Sequence, residues 1–208
     1  MTDGRTAGVV LAAGSATRFG GGKVRAPLAG RPLVAHVLAA ARGAGVARLV
    51  LVLGRDAAAV RAALAEDDPA TLAGVLVAVN PAPERGLASS LRLGIVVATA
   101  TPAPDAVLVM LGDQPRVSPA TIGALREAAV AVPPGTIAVA PAHEEDGSPN
   151  PVLLLPAGWA EATRAEGDRG LGPLLAARPD LVVRVPVAGA NPDVDTPADL
   201  AALERSHP

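Results

Sequence analysis

Residues 7–25, AGVVLAAGSATRFGGGKVR, carry the signal for the fold. The segment opens on Gly8-Val9-Val10-Leu11-Ala12, a short apolar run whose length and branching suit a buried β-strand. The run ends in Ala13-Gly14-Ser15-Ala16-Thr17, small residues that let backbone N–H groups approach a ligand closely. Arg18, Gly20, Gly21, Gly22 and Lys23 follow. A buried strand running into a glycine-rich loop with two cations makes a phosphate cradle, because oriented amides and fixed positive charge converge there. Two better-known cradles fail on spacing. A Walker A loop needs Ser or Thr after Gly-Lys, and Val24 follows Lys23. The dinucleotide fingerprint needs G-x-G-x-x-G, which Gly20, Gly21 and Gly22 do not supply.

Outward from that loop, strand and helix patterns alternate. Pro32 opens a helical pattern with Leu33, Val34, Val37, Leu38 and Ala41 on one face, stopped by Gly43 and Gly45. Residues 48–53 read as a second buried strand, and Asp56 is placed to cap a helix through Leu64. Further strands are predicted over 74–79, 105–111, 136–140, 150–155 and 181–187. Helices are predicted over 87–99, from Ser118-Pro119 through Ile122, Leu125 and Ala129, around 159–165 and 173–177, and from the capping sequence Thr196-Pro197-Ala198-Asp199. A polar excursion, His143 to Pro149, separates two of the strands. Strands apolar on both faces require helices on both sides of a largely parallel sheet, which is a Rossmann-like, three-layer α/β fold. In such folds ligands lie outside the carboxyl ends of the strands, where Gly14–Lys23, Gly86–Ser90 and Asp113 all fall.

Composition narrows the function. The 208 residues suit one domain spanning 1–208. Half are apolar, yet only Phe19 and Trp159 are aromatic, so Ala, Val and Leu must build the core. With a net charge of −2 and few aromatics, the chain has neither the basic footprint nor the stacking platforms of a nucleic-acid binder. No cysteine is present, which excludes disulfides and thiolate zinc sites. The run VVLAAGSA is too short, too acidic before it and too quickly followed by Arg18 for a secretory leader. No window approaches the ~18 uninterrupted apolar residues of a membrane helix. A cytoplasmic enzyme without membrane or nucleic-acid partners is expected.

Asp113 follows the strand at 105–111, in LGDQP. By itself it fits a Mg²⁺ ligand, a hard-cation site, and a turn cap before Gln114-Pro115 equally well. Asp195 is delivered by the last strand ahead of the final helix and is a second metal candidate. Asp193 is a weaker one, and Asp199 belongs to the capping sequence. Gly86, Ser89 and Ser90 sit at a helix start, where N–H groups and hydroxyls can meet a pyrimidine edge or simply cap the helix. His36 is placed on a helix surface and His143 in a loop. There is no G-x-S-x-G and no cysteine for nucleophilic hydrolase chemistry. Arg55, after the second strand, is where an NADP enzyme would read a 2′-phosphate, but the glycine fingerprint is missing.

These residues resemble the MobA-like nucleotidyltransferases. Leu11-Ala12-Ala13-Gly14-Ser15-Ala16-Thr17-Arg18-Phe19-Gly20 with Lys23 is similar to the opening L-A-A-G-x-S-x-R-[MF]-G-x(n)-K, with Ala16 in place of the usual Ser. Residues 26–33 resemble P-L-x-G-x-P-L-L, and 84–94 resemble E-G-[ML]-x-S-S-L-R-x-G. Asp113-Gln114-Pro115 resembles the molybdenum-cofactor cytidylyltransferase branch in particular, and Asp193-Val194-Asp195-Thr196-Pro197-Ala198-Asp199-Leu200 resembles the family's D-[IV]-D-T-P-E-D-L. The resemblance implies a nucleotide-diphospho-sugar transferase-like fold with a mixed sheet, moving an NMP from an NTP to an acceptor with release of pyrophosphate. It implies CTP, Mg²⁺ and molybdopterin, and a transient contact with an acceptor enzyme. The alternatives are a terpenoid or sugar phosphate acceptor, or a non-catalytic nucleotide- or cofactor-binding chaperone. Residue by residue, it implies Arg18, Lys23 and Asp113 as catalytic, and Asp113 and Asp195 as metal ligands. Leu11, Ala12, Ala13, Gly14, Ser15, Gly86, Ser89 and Ser90 would join Arg18, Lys23 and Asp113 around the nucleotide. Asn150 and Asp168 would take the acceptor. Two departures fall on the acceptor side: Glu144-Glu145-Asp146 replaces a basic loop, and Gly172 stands where an Arg is usual. Each acidic charge near an anionic acceptor would cost ~1 kcal/mol at a surface-like dielectric.

Overall fold

The computed structural model describes residues 5–100, 102–144, 149–168 and 170–206. Chain order runs from β1 (Thr6–Ala12), β2 (Pro27–Leu28) and β3 (Arg31–Pro32) to α1 (Leu33–Gly43), β4 (Arg48–Leu53) and α2 (Ala57–Asp67). It continues with β5 (Val75–Val79), α3 (Leu87–Ala98), β6 (Ala106–Leu111) and α4 (Pro119–Ala128). Then come β7 (Ala138–His143), β8 (Val152–Leu154), α5 (Pro156–Ala162), α6 (Gly172–Ala177), β9 (Val182–Val187) and α7 (Pro197–Arg205). Seven strands form one sheet in the order β5-β4-β1-β6-β8-β7-β9. β1 pairs in parallel with β4 and β6, matching Val9 to Val50 and to Val109. Only β8 is reversed, antiparallel to both β6 and β7. The fold is therefore the expected α/β sandwich around a largely parallel, mixed sheet.

Alternation along the strands makes the three layers. Val10, Leu51, Leu108 and Met110 face α1, α2 and α4, where Val34, Leu38, Leu64 and Ile122 close one core. Val9, Val50, Val107 and Val109 face the other way, onto Leu91 and Ile95 of α3, Ala162 of α5 and Leu175 of α6. Each such Val or Leu stabilises the fold by about 1.5–3 kcal/mol on full burial. Gly94 sets how close α3 comes: a Cβ there would lie 2.4 Å from Val9 Cγ1 and 3.1 Å from Val52 Cγ2.

Several boundaries differ from expectation. Pro32 precedes α1, at φ −53 and ψ 139, and pairs in β3 instead of forming the first helical turn. β2 and β3 form a small hairpin that periodicity does not reveal, since each strand is two residues long. Its turn residues Ala29 and Gly30 both have positive φ, as a two-residue hairpin loop requires. Asp56 occupies the position before α2 but its side chain makes no capping bond. β7 runs on to include His143, which is thus a strand-end residue and not a loop one. β8 is only three residues long, and α5 begins three residues before Trp159. Ser118 and Thr196 cap α4 and α7 as the sequence suggests, the latter in a reciprocal capping box with Asp199. Among the described residues, no helix is long and apolar enough to cross a membrane. Glu145 and Asp146 lie outside the described residues.

Candidate active site

β1 delivers the glycine-rich loop to the carboxyl edge of the sheet. Ala16, Gly20, Gly21 and Gly22 all take positive φ, which winds the loop back on itself. Two short 3₁₀ turns, Thr17–Phe19 and Lys23–Arg25, then present Arg18 and Lys23, while Val24 anchors the second turn in the core. Gly54, at the end of β4, packs against this loop so closely that a Cβ would sit 2.6 Å from the Ala13 carbonyl oxygen.

Lys23 joins the three segments. Its Nζ lies 2.5 Å from Asp113 Oδ2, just beyond β6, and 3.0 Å from Asp195 Oδ1, just before α7. Arg18 Nη2 reaches the other oxygen of Asp195 at 3.0 Å. The Val194 N–H donates to the Asp113 main-chain carbonyl at 3.0 Å, and Asp199 Oδ2 accepts from the Asp195 N–H, so the main chain that carries each carboxylate is fixed. Burial alone would lower the Lys23 pKa, but Asp113 and then Asp195 outweigh it and hold the ammonium above its ordinary value. Beside them Asp193, partly exposed, is raised above the usual carboxylate value by the protein around it, then by Asp113 and Asp195.

This donor set fits a hard divalent cation. Two carboxylates converge on one cationic atom, the Lys23 ammonium, and Mg²⁺-type sites typically use one or two carboxylates with the rest from phosphate and water. No group of three or more potential ligands with metal-site geometry occurs among the described residues.

Next to this cluster lies an open cleft of about 330 Å³. Ala13, Gly14, Ser15, Ala16 and Arg18 wall one side, and Glu84, Gly86, Leu87, Ser90 and Asp168 the other, with Lys23 and Asp195 at the join. A Cβ on Gly14 would meet nothing within 4 Å, so that glycine leaves room in the cleft itself. Asn80, buried at the end of β5, organises the far wall by donating to Ser89 Oγ and Ser90 Oγ at 2.8 and 2.9 Å. Ser90 reaches the cleft; Ser89 turns back to the Gly86 carbonyl at 2.8 Å. Leu11 and Ala12 are core residues beneath the loop and do not line the cleft. Arg55 pairs with Glu84 at 3.0 Å on the surface, which ties it to the cleft rim. His36 is half-buried and bonds the Leu28 carbonyl through Nε2 at 2.9 Å.

The two expected acceptor residues are not brought together. Asp168 belongs to the nucleotide-side cleft and accepts from the Leu87 N–H at 3.2 Å, at the start of α3. Asn150 stands across β6, where its carbonyl oxygen accepts from His143 Nε2 and Asn191 Nδ2, each at 3.3 Å. Sequence reasoning missed Asn80 and Asn191, buried polar residues without a motif of their own, and gave Gln114 no role beyond its place in Asp113-Gln114-Pro115.

A family model for the MobA-like NTP transferase domain matches residues 8–182. The chain belongs to the MobA-like NTP transferase family. As such it is a nucleotidyltransferase with a nucleotide-diphospho-sugar transferase-like fold. Rv0371c from Mycobacterium tuberculosis H37Rv superposes with a TM-score of 0.80 at 34% identity, covering 99% of this chain and 100% of that one. A manganese complex of the same protein gives 0.78 at 31% identity, over 98% of this chain and all of the other. The bifunctional protein GlmU of Agrobacterium fabrum is 37% identical over 166 residues, 77% of this chain but 34% of the relative. The chain thus spans about a third of that curated relative's length.

Proposed function

We propose that this MobA-like domain transfers a nucleotidyl group, CMP from CTP in preference, onto a small phosphorylated acceptor. The observation that carries the reading is Lys23 bridging Asp113 and Asp195 at the mouth of a glycine-walled cleft. Main-chain N–H groups of residues 13–18 would bind the triphosphate, while Arg18 and Lys23 supply charge to oxygens that become more negative as the α-phosphorus is attacked. Asp113 and Asp195 would hold Mg²⁺ or Mn²⁺, and the manganese complex of Rv0371c supports a divalent ion in the family. When bound, that ion would supply Lewis-acid stabilisation of the phosphates and release of pyrophosphate. The chain's own part is to fix acceptor and α-phosphorus in line, converting a bimolecular encounter into a positioned one. Gly86 and Ser90, on the far wall, are placed to meet the base.

Molybdopterin is the acceptor that the motifs imply, and a terpenoid or sugar phosphate is the second reading. The separation of Asn150 from Asp168, and the acidic Glu144 where relatives carry a basic loop, favour the second. A binding chaperone is disfavoured by the intact Lys23, Asp113 and Asp195 cluster. Calorimetry with the four NTPs and Mg²⁺, followed by pyrophosphate release, tests the proposal. Asp113→Asn, which keeps the shape and removes the charge, is expected to cut turnover at least 100-fold while changing the melting temperature little. Wild-type turnover in that variant would rule the assignment out.

A further inference from the structure

The two edges of the seven-stranded sheet are built differently. β9 ends one edge and carries Arg184 and Pro186, both exposed, in the run VVRVPV. A cation and a residue without an N–H are devices that keep a sheet edge from pairing with another strand. β5 ends the other edge as VLVAV, with neither device. The uncharged run is longer than the strand: residues 69–83 include no Asp, Glu, Lys, Arg or His. Within it Leu76 and Val79 stand 52% and 53% exposed.

The outward backbone groups of β5 are arranged symmetrically. β4 and β5 are parallel, and the Asn80 N–H, just past β5, donates to the Leu53 carbonyl of β4. Alternate residues of a strand turn their N–H and C=O to the same side, so those of Leu76 and Ala78 also face β4. Those of Val75, Val77 and Val79 face away from the sheet, and among the described residues β5 pairs with β4 alone. These three outward positions are centred on Val77. A second β5 laid antiparallel about a two-fold axis at Val77 would exchange paired N–H···O=C bonds there and at both Val75–Val79 pairs.

The same axis matches the side chains. Val75 and Val77 pack into the core on the α2 side and Ala78 into the core on the α3 side. By alternation Val79 lies on the α2 side and Leu76 on the α3 side. Under the two-fold, Val79 meets Val75 of the second copy, Val77 meets its own counterpart, and Leu76 meets Ala78 of the second copy. Both exposed apolar side chains are thereby covered by apolar ones, as stabilising cross-strand pairs are. With residues 69–83 uncharged, two copies bring no like charges together there, while a charged partner segment would find nothing to pair with.

We propose that the β5 edge is a self-association surface, through which two copies of this chain pair antiparallel about Val77 and join their sheets into one. The inference is independent of the nucleotidyl-transfer reading. A five-residue strand spans about 17 Å, which places the contact at the small end of specific interfaces, below about 1,200 Å² in total. The association is therefore reversible, with a Kd between about 1 µM and about 1 mM. Because the β9 edge is guarded, it closes at two copies and does not continue into a fibre.

Sedimentation velocity at loading concentrations from about 1 µM to about 1 mM is expected to show a monomer–dimer equilibrium. Leu76→Lys and Val79→Lys each place a cation on the edge and are expected to raise the dimer Kd at least tenfold. Both sites are about half exposed, so melting temperatures should stay close to wild type. Val130→Lys, at an exposed apolar site beyond α4, is the control and should leave Kd within twofold. The chain has no cysteine, so introduced ones report the register. Leu76 and Ala78 of the second copy would be a non-hydrogen-bonded pair, with Cα atoms about 4.5 Å apart and within disulfide reach. Like residues would sit diagonally, about 7–8 Å apart and beyond that reach. Mixing Leu76→Cys with Ala78→Cys under mild oxidation is expected to give several times more cross-linked dimer than either variant alone. A wild type still monomeric at about 1 mM, or a Kd unmoved by both lysine substitutions, would overturn the proposal. So would assembly beyond the dimer, or linking no greater in the mixture than in the single variants.

Discussion

Replacing Lys23 by Met keeps the aliphatic stem in place and deletes the ammonium that holds Asp113 and Asp195 together. At an effective dielectric of about 20, the contacts at 2.5 and 3.0 Å correspond to gross attractions of ~7 and ~6 kcal/mol. Most of that is offset by the desolvation of three charged groups. Removing one partner of a fully buried pair costs about 3–5 kcal/mol, and of an exposed pair about 0–1. Lys23, Asp113 and Asp195, with side chains 13%, 20% and 34% exposed, lie between those limits, so a loss of about 2 kcal/mol is expected. For a chain of this size that is about 4–8 °C in melting temperature, measured by scanning calorimetry in EDTA. Millimolar MnCl₂ should then close more than half the gap, because a divalent cation takes the place of the ammonium between the same two carboxylates. An equal gap with and without manganese would refute the idea that Lys23 occupies a cation position, as would the absence of any gap in EDTA.

Gly14→Ala should leave the melting temperature within a degree or two, since its methyl meets nothing in the free protein, yet weaken NTP binding at least tenfold by calorimetry. Unchanged affinity would mean that the triphosphate does not pass over Gly14. Ala13, buried to 8% exposure at the cleft wall, narrows the space for a base, so CTP should bind more tightly than GTP; equal or tighter GTP binding reverses that assignment. Asp199 has its pKa held below the carboxylate norm by the Thr196 hydroxyl and then by the Thr196 N–H. A lowered folded-state pKa gives stability that is present above the unfolded value and lost as pH falls through the folded one. Asp199→Ala should therefore melt lower than wild type at pH 7, with the difference starting to shrink as pH falls through the unfolded carboxylate value of about 3.9 and vanishing only below the lowered folded value; a pH-independent difference would exclude the capping carboxylate as its source.

Much of the sheet was legible because its strands are apolar on both faces, a pattern that only helix-covered parallel strands satisfy. The positions of the central strands followed from runs such as Val9-Val10-Leu11 and Val107-Leu108-Val109, and the loop cations from the motif around Arg18 and Lys23. What stayed hidden were features made by contacts distant in sequence. Lys23 and Asp195 are 172 residues apart and meet only because β1 and the segment before α7 end at the same edge. Gln114 and Asn191 bond each other, and Asn80 bonds Ser89 and Ser90, contacts without periodicity because each residue is buried singly and meets its partner from another element. The β2–β3 hairpin escaped notice because Ala29-Gly30 lacks the Asn-Gly or Asp-Gly signal its turn geometry normally carries. Asn150 and Asp168, assigned together by motif, fall on opposite sides of β6 because motif order does not encode strand order.

The single reversed strand has an evolutionary consequence. With β8 running against its neighbours, the chain leaves the sheet at the end of β7 and re-enters it at the start of β8 on one edge, so residues 144–151 need only bridge two ends on the same edge. Doubling the length of such a bridge costs only about 0.6 kcal/mol in closure entropy. Exchanging it between paralogues would retune which acceptor is admitted while the triphosphate grip passes through unaltered, and a scaffold with that separation is a ready substrate for engineering new acceptor ranges by loop grafting.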